Sequence, residues 1–73
     1  MVTEPSGVSQ ESVDYANARI DKNIEMLRRF RLEFGPDFAN SEPAKHLLED
    51  VRVFAFLTDQ DADAAVRAAR AVL

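Results

Sequence analysis

The sequence predicts an all-α fold, with one long helix (about 11–34) followed by a shorter helical hairpin (about 42–57 and 59–72). Three observations support this prediction. Apolar residues recur at helical spacing through the first half of the chain. The pair Gly35-Pro36 then interrupts that pattern. The two segments that follow each begin with residues that commonly cap helices.

The first helix is predicted from an apolar stripe with spacings of three, four and seven residues. Ser9 is a candidate N-cap, with Ser12 as the alternative, because a serine hydroxyl can accept from free amides of the first turn. Glu25, Arg29 and Glu33 lie one turn apart, so we expect ion pairs on the exposed side. Written as heptads, the core stripe comprises Val13, Ala16, Ile20, Asn23, Leu27, Phe30 and Phe34.

The second helix is predicted to begin at Asn40 or Ser41, with Pro43 in its first turn, where a missing amide hydrogen costs little. Phe38, in the connector, is expected to pack against the core. A strand over 51–57 is the alternative, because this segment is rich in β-branched and aromatic residues. No second strand is visible to pair with it, so the sequence favours the helix.

The third helix is predicted from a capping-box pattern, in which Thr58 precedes Asp61 by three residues. Small residues dominate the segment that follows, which allows close packing. Asp63 and Arg67 lie one turn apart and are expected to pair.

Length and composition indicate a single helical domain (residues 10–73) behind a flexible N-terminal tail (residues 1–9). The 73 residues carry a net charge of −4, with no cysteine and one histidine. Disulfides and thiolate metal sites are therefore excluded, which leaves association as a means of completing so small a core. The tail lacks the pattern of a signal peptide, and no apolar run could span a bilayer, so a cytoplasmic location is expected. Arginine outnumbers lysine, a composition typical of a GC-rich bacterial genome.

The sequence predicts no catalytic site, no metal site and no cofactor. The segment from Asp59 to Asp63 resembles the start of a calcium loop, but Ala64 and Arg70 stand where that motif needs glycine and glutamate. His46 has Glu49 one turn away but no second histidine, so a metal site there is not expected. There is no glycine-rich loop to bind phosphate.

The predicted function is a non-catalytic protein–protein interaction module, either a homodimer or an accessory subunit of a larger complex. The segment 47–57 is too apolar for one helix face in so small a chain. The first helix is also too long for the other two to cover, so Val13, Ala16 and Ile20 are expected to need a partner or to fray. Asn23 in the seam would either select the register of paired chains or face water. The predicted interface comprises Val13, Ile20, Asn23, Ile24, Leu27, Phe30, Val53, Phe56 and Leu57.

An alternative function is a small regulator that binds nucleic acid through the arginine-rich side of the first helix. The only basic concentration there contains Lys22, Arg28, Arg29 and Arg31. The net negative charge disfavours a sequence-independent grip on phosphates. An acidic protein partner therefore fits these residues better than nucleic acid, and no membrane contact is expected.

Overall fold

A computed structural model describes residues 9–73 and confirms the all-α prediction. It contains α1 (Gln10–Phe34), a short 3₁₀ helix (Pro36–Asn40), α2 (Glu42–Leu57) and α3 (Ala62–Arg70). The alternative strand over 51–57 is wrong, because α2 runs through that segment. The predicted flexible tail lies outside the described residues except for Ser9.

The two ends of α1 follow from local chemistry that the sequence displays. The Ser9 hydroxyl accepts from the backbone amide of Ser12 at 3.1 Å, so Ser9 is the N-cap. Gly35 ends the helix with φ 86°, in a region that favours glycine, and its amide donates to the Arg31 carbonyl at 3.0 Å. Pro36 follows and starts the 3₁₀ helix.

The ends of α2 are both closed by hydroxyl side chains. Ser41, rather than Asn40, is the N-cap, and its hydroxyl accepts from the Ala44 amide at 3.3 Å. At the other end the Thr58 hydroxyl donates to the Phe54 carbonyl at 2.8 Å. Free carbonyls at the helix end thereby gain a partner.

The predicted start of α3 is corrected by the role of Thr58. Because Thr58 closes α2, it does not take part in a capping box, and Asp61 alone caps α3 by accepting from the Ala64 amide at 3.1 Å. The helix is therefore shorter than the predicted 59–72. Asp63 lies 3.2 Å from Arg52 of α2, so the predicted pair with Arg67 does not form. Neither do the predicted pairs along α1, since the only other ion pair among the described residues joins Lys45 and Glu42.

Helix α2 lies between the other two helices and runs antiparallel to both. The rings of Tyr15 and Phe54 lie 6.1 Å apart near one end, and Asn23 donates to the Leu47 carbonyl near the middle. The molecule is elongated, with principal extents of 51 × 17 × 17 Å. Its buried apolar core comprises Ile20, Leu27, Phe38, Ala44, Leu48, Val51, Ala55, Val66 and Ala69.

The expectation that part of the α1 stripe needs an outside cover is wrong for Ala16 and Ile20. These residues are only 2% and 8% exposed. The antiparallel course of α2 explains this, because its last turn reaches the level of Tyr15. At the opposite end Phe38 is buried as predicted, whereas Phe34 is 63% exposed instead of lying in the core. The 3₁₀ helix thus covers α1 only up to Phe34.

Candidate interaction surfaces

The residues predicted to contact a partner fall into three groups by burial. Ile20, Asn23 and Leu27 are buried in the chain's own interior. Val13, Ile24 and Phe30 are half-buried, and Val53, Phe56 and Leu57 are exposed. In this conformation only the last two groups offer surface to another molecule.

Asn23 lies in neither of the two settings considered from sequence. It is 3% exposed, and its side-chain amide donates to the Leu47 carbonyl at 3.3 Å. This bond ties α1 to the backbone of α2 within one chain. A polar group in such a seam costs stability but disfavours misaligned packing, here between helices of the same chain.

A cluster of exposed apolar side chains lies where the end of α2 meets the start of α1. Tyr15, Phe56 and Leu57 are 61%, 72% and 61% exposed. Val53 is exposed one turn before Leu57, and half-buried Phe54 contacts Tyr15 edge to face. We call these five residues the α2-end surface. It borders an open groove of about 510 Å³ lined in part by Tyr15, Phe54 and Leu57.

A second apolar surface lies at the opposite end of the molecule. The rings of Phe30, Phe34 and Phe38 have centroids 5.5–6.2 Å apart. With Pro43 they line an open groove of about 520 Å³, and we call these four residues the aromatic groove. Two polar residues, Asp37 and Ser41, complete its lining.

Charge is separated along the long axis of the molecule. Asn23 lies level with Leu47, and Leu48 lines one groove with Val66 and Arg70, so a plane across the middle divides the described residues. On the side of the α2-end surface, 9–21 and 49–67 hold eight acidic and three basic residues. On the side of the aromatic groove, 22–48 and 68–73 hold four acidic and six basic residues. We call these the acidic half and the basic half.

All eight carboxylates of the acidic half are exposed. They are Glu11, Asp14, Asp21, Glu49, Asp50, Asp59, Asp61 and Asp63. Arg52, exposed beside the α2-end surface, is paired with Asp63. An apolar patch within a field of one sign selects partners that carry the opposite sign.

The arginine-rich side of α1 is only partly free. Lys22, Arg28 and Arg29 are exposed and form no ion pair with any described residue. Arg31 is half-buried, and its Nε donates to the Leu73 carbonyl at 2.9 Å. The buried Nε of Arg19 has no hydrogen-bond partner.

Two residues of these surfaces were missed by the sequence reasoning. Tyr15 lies off the apolar stripe, and its pairing with Phe54 depends on how far α2 extends along α1. Phe34 fits the stripe and was therefore assigned to the core. The three phenylalanines spaced four residues apart were a signal for the aromatic groove, because such spacing places aromatic side chains near one another on a helix.

The described residues contain no group of three or more His, Cys, Asp or Glu side chains placed to hold a metal ion. His46 is exposed on α2. Within residues 9–73, no helix has both the length and the apolar character needed to cross a membrane. Comparison with protein-family models, curated proteins and solved structures gives no match for this chain.

Proposed function

We propose that this protein is a non-catalytic, cytoplasmic interaction module that contacts other protein through its α2-end surface, as a homo-oligomer or as an accessory subunit. The observation that carries the proposal is the cluster of Tyr15, Phe56 and Leu57, each more than half exposed and grouped at one end of the fold. Large contiguous apolar surface on a small protein marks contact sites.

The packing of α2 supports this assignment. Its inward face supplies Leu48, Val51 and Ala55 to the core, so the apolar residues on its outer side have no role in holding the chain together. Val53 and Phe56 lie on that outer side. Aromatic residues in such positions contribute strongly to protein interfaces.

The test is a matched pair of leucine substitutions. Leu57→Glu places a charge in the α2-end surface, whereas Leu32→Glu places one at an equally exposed position on α1, away from both apolar surfaces. We expect the first variant to lower the mass of any complex in light scattering and to lose co-purified partners. The second variant should behave as the wild type. If both variants retain the same assemblies and partners, the proposal is wrong.

A second candidate is binding of nucleic acid by the basic half. The observation in its favour is that Lys22, Arg28 and Arg29 are exposed without ion-pair partners. Contacts to phosphate give an affinity that falls steeply with added salt. Titration of duplex DNA at low salt tests this candidate, and absence of binding there contradicts it.

A further inference from the structure

We infer that the partner of the α2-end surface is the aromatic groove of a second copy of this chain, so that copies associate head to tail. This inference rests on the proposed function and names the partner. Because the two surfaces differ and lie at opposite ends, the contact is heterologous and each molecule retains one free surface of each kind. Such contacts extend into rings or filaments.

Charge complementarity is the first argument. The α2-end surface belongs to the half with eight acidic and three basic residues, and the groove belongs to the half with four acidic and six basic residues. Head-to-tail contact brings opposite signs together, which speeds association and favours this orientation over others. The exposed Lys22, Arg28 and Arg29 gain an acidic partner in this arrangement.

The shapes of the two apolar surfaces are the second argument. Phe56 and Leu57 project from the last turn of α2, with 72% and 61% of their surface exposed. The aromatic groove is open, has a volume of about 520 Å³ and is lined by three phenylalanine rings. Aromatic pairs packed edge to face add about 0.5–1.5 kcal/mol beyond the burial of their area. A projecting aromatic side chain and an aromatic groove therefore suit one another.

A symmetric contact between two α2-end surfaces is disfavoured by the same charges. Glu49 and Asp50 lie one turn before Val53, and Asp59 follows Leu57 by two residues. A two-fold contact would place these carboxylates against their own copies. Like charges juxtaposed at an interface cost several kcal/mol.

One residue opposes the head-to-tail contact. Asp37 lines the aromatic groove and carries the same sign as the incoming acidic half. Asp37→Asn removes this charge with little change in shape. We expect it to tighten association about three-fold or more, measured as a lower dissociation constant by sedimentation.

The decisive experiment uses two variants that each block one surface. Phe56→Lys removes the projecting ring and reverses the local charge, and Phe34→Glu places a carboxylate in the groove. Both side chains are largely exposed, so the fold is expected to survive, which circular dichroism checks. Sedimentation velocity is then measured on the wild type, on each variant alone and on their equimolar mixture.

The wild type should form species whose mass rises with concentration, and each variant alone should be a monomer. The mixture should form a 1:1 complex and nothing larger, because it contains one intact surface of each kind. Wild-type association should weaken at least ten-fold between 50 and 500 mM NaCl, because salt screens exposed charges.

Three outcomes overturn the inference. Either variant alone may not assemble like the wild type, the mixture may not remain monomeric where the wild type assembles, and the wild type must not be a monomer at every concentration. A symmetric dimer through α2 ends is identified by Phe34→Glu remaining dimeric. If the wild type is a monomer but Leu57→Glu loses a captured protein, the proposed function stands and only the head-to-tail contact is wrong.

Discussion

Asp59 is the one non-glycine residue among 9–73 with positive φ, at 60°. It follows the last residues of α2, where the next amide, that of Gln60, donates to the Ala55 carbonyl at 2.8 Å. Helices commonly end in this conformation at a glycine, because a Cβ is unfavourable there. Aspartate tolerates it better than most residues but adds a negative charge near the negative end of the helix dipole.

We therefore expect Asp59→Gly to raise the free energy of unfolding by about 0.5–1 kcal/mol. Asp59→Ala is the matched control, because it removes the same charge while keeping a Cβ. Urea denaturation measures both. The explanation from backbone conformation is contradicted if alanine stabilises the protein as much as glycine does.

At the scale of whole elements, α1 presents two leucines in opposite settings. Leu27 is fully buried between α1 and α2, whereas Leu32 is 79% exposed on the same helix. Leu27→Ala should lower the free energy of unfolding by about 2–5 kcal/mol, because it removes apolar contacts and leaves a cavity. In so small a domain this loss is a large fraction of the total stability.

Leu32→Ala serves as the control for that substitution, because it makes the same chemical change at the surface. We expect its effect on thermal or urea denaturation to stay within about 0.5 kcal/mol. Equal losses for the two leucines would mean that the stripe of α1 is not packed as the structure shows.

The elements differ in how well the sequence predicts them. The ends of α1 and the start of α2 were predicted because Ser9, Gly35 and Ser41 act on the backbone within a few residues of themselves. The start of α3 was not, because Thr58 has a hydroxyl that fits either a cap or the end of α2, and only the packed chain selects between them. Local chemistry thus predicts an element when it has a single use.

The candidate surfaces were predictable only in part for a related reason. The excess apolar character of Val53, Phe56 and Leu57 is visible in the sequence, and the structure leaves all three exposed. The position of Phe34 outside the core depends on where the 3₁₀ helix crosses α1. Such relations between distant segments cannot be read from periodicity within one helix.

At the scale of the whole molecule, the separation of charge arises from the antiparallel course of α2. Acidic residues near the start of α1 and around the α2–α3 turn are far apart in sequence, yet they meet at one end. A charge added to that end therefore interacts with many neighbours of one sign. Such interactions between exposed charges are individually weak and are screened by salt.

Position 57 tests this field directly, because lysine and glutamate substitutions remove the same leucine and differ in sign. We expect Leu57→Lys to be more stable to urea than Leu57→Glu by about 0.5–1 kcal/mol at low salt, since the acidic half and the end of the α2 dipole both favour a cation. The difference should shrink in 1 M NaCl, where the screening length is about 3 Å. At Leu32 the difference should be smaller, because Arg28 and Arg29 one turn away favour glutamate while the helix end favours lysine. A difference at position 57 that persists undiminished in high salt would attribute it to side-chain packing and remove the charged-end explanation.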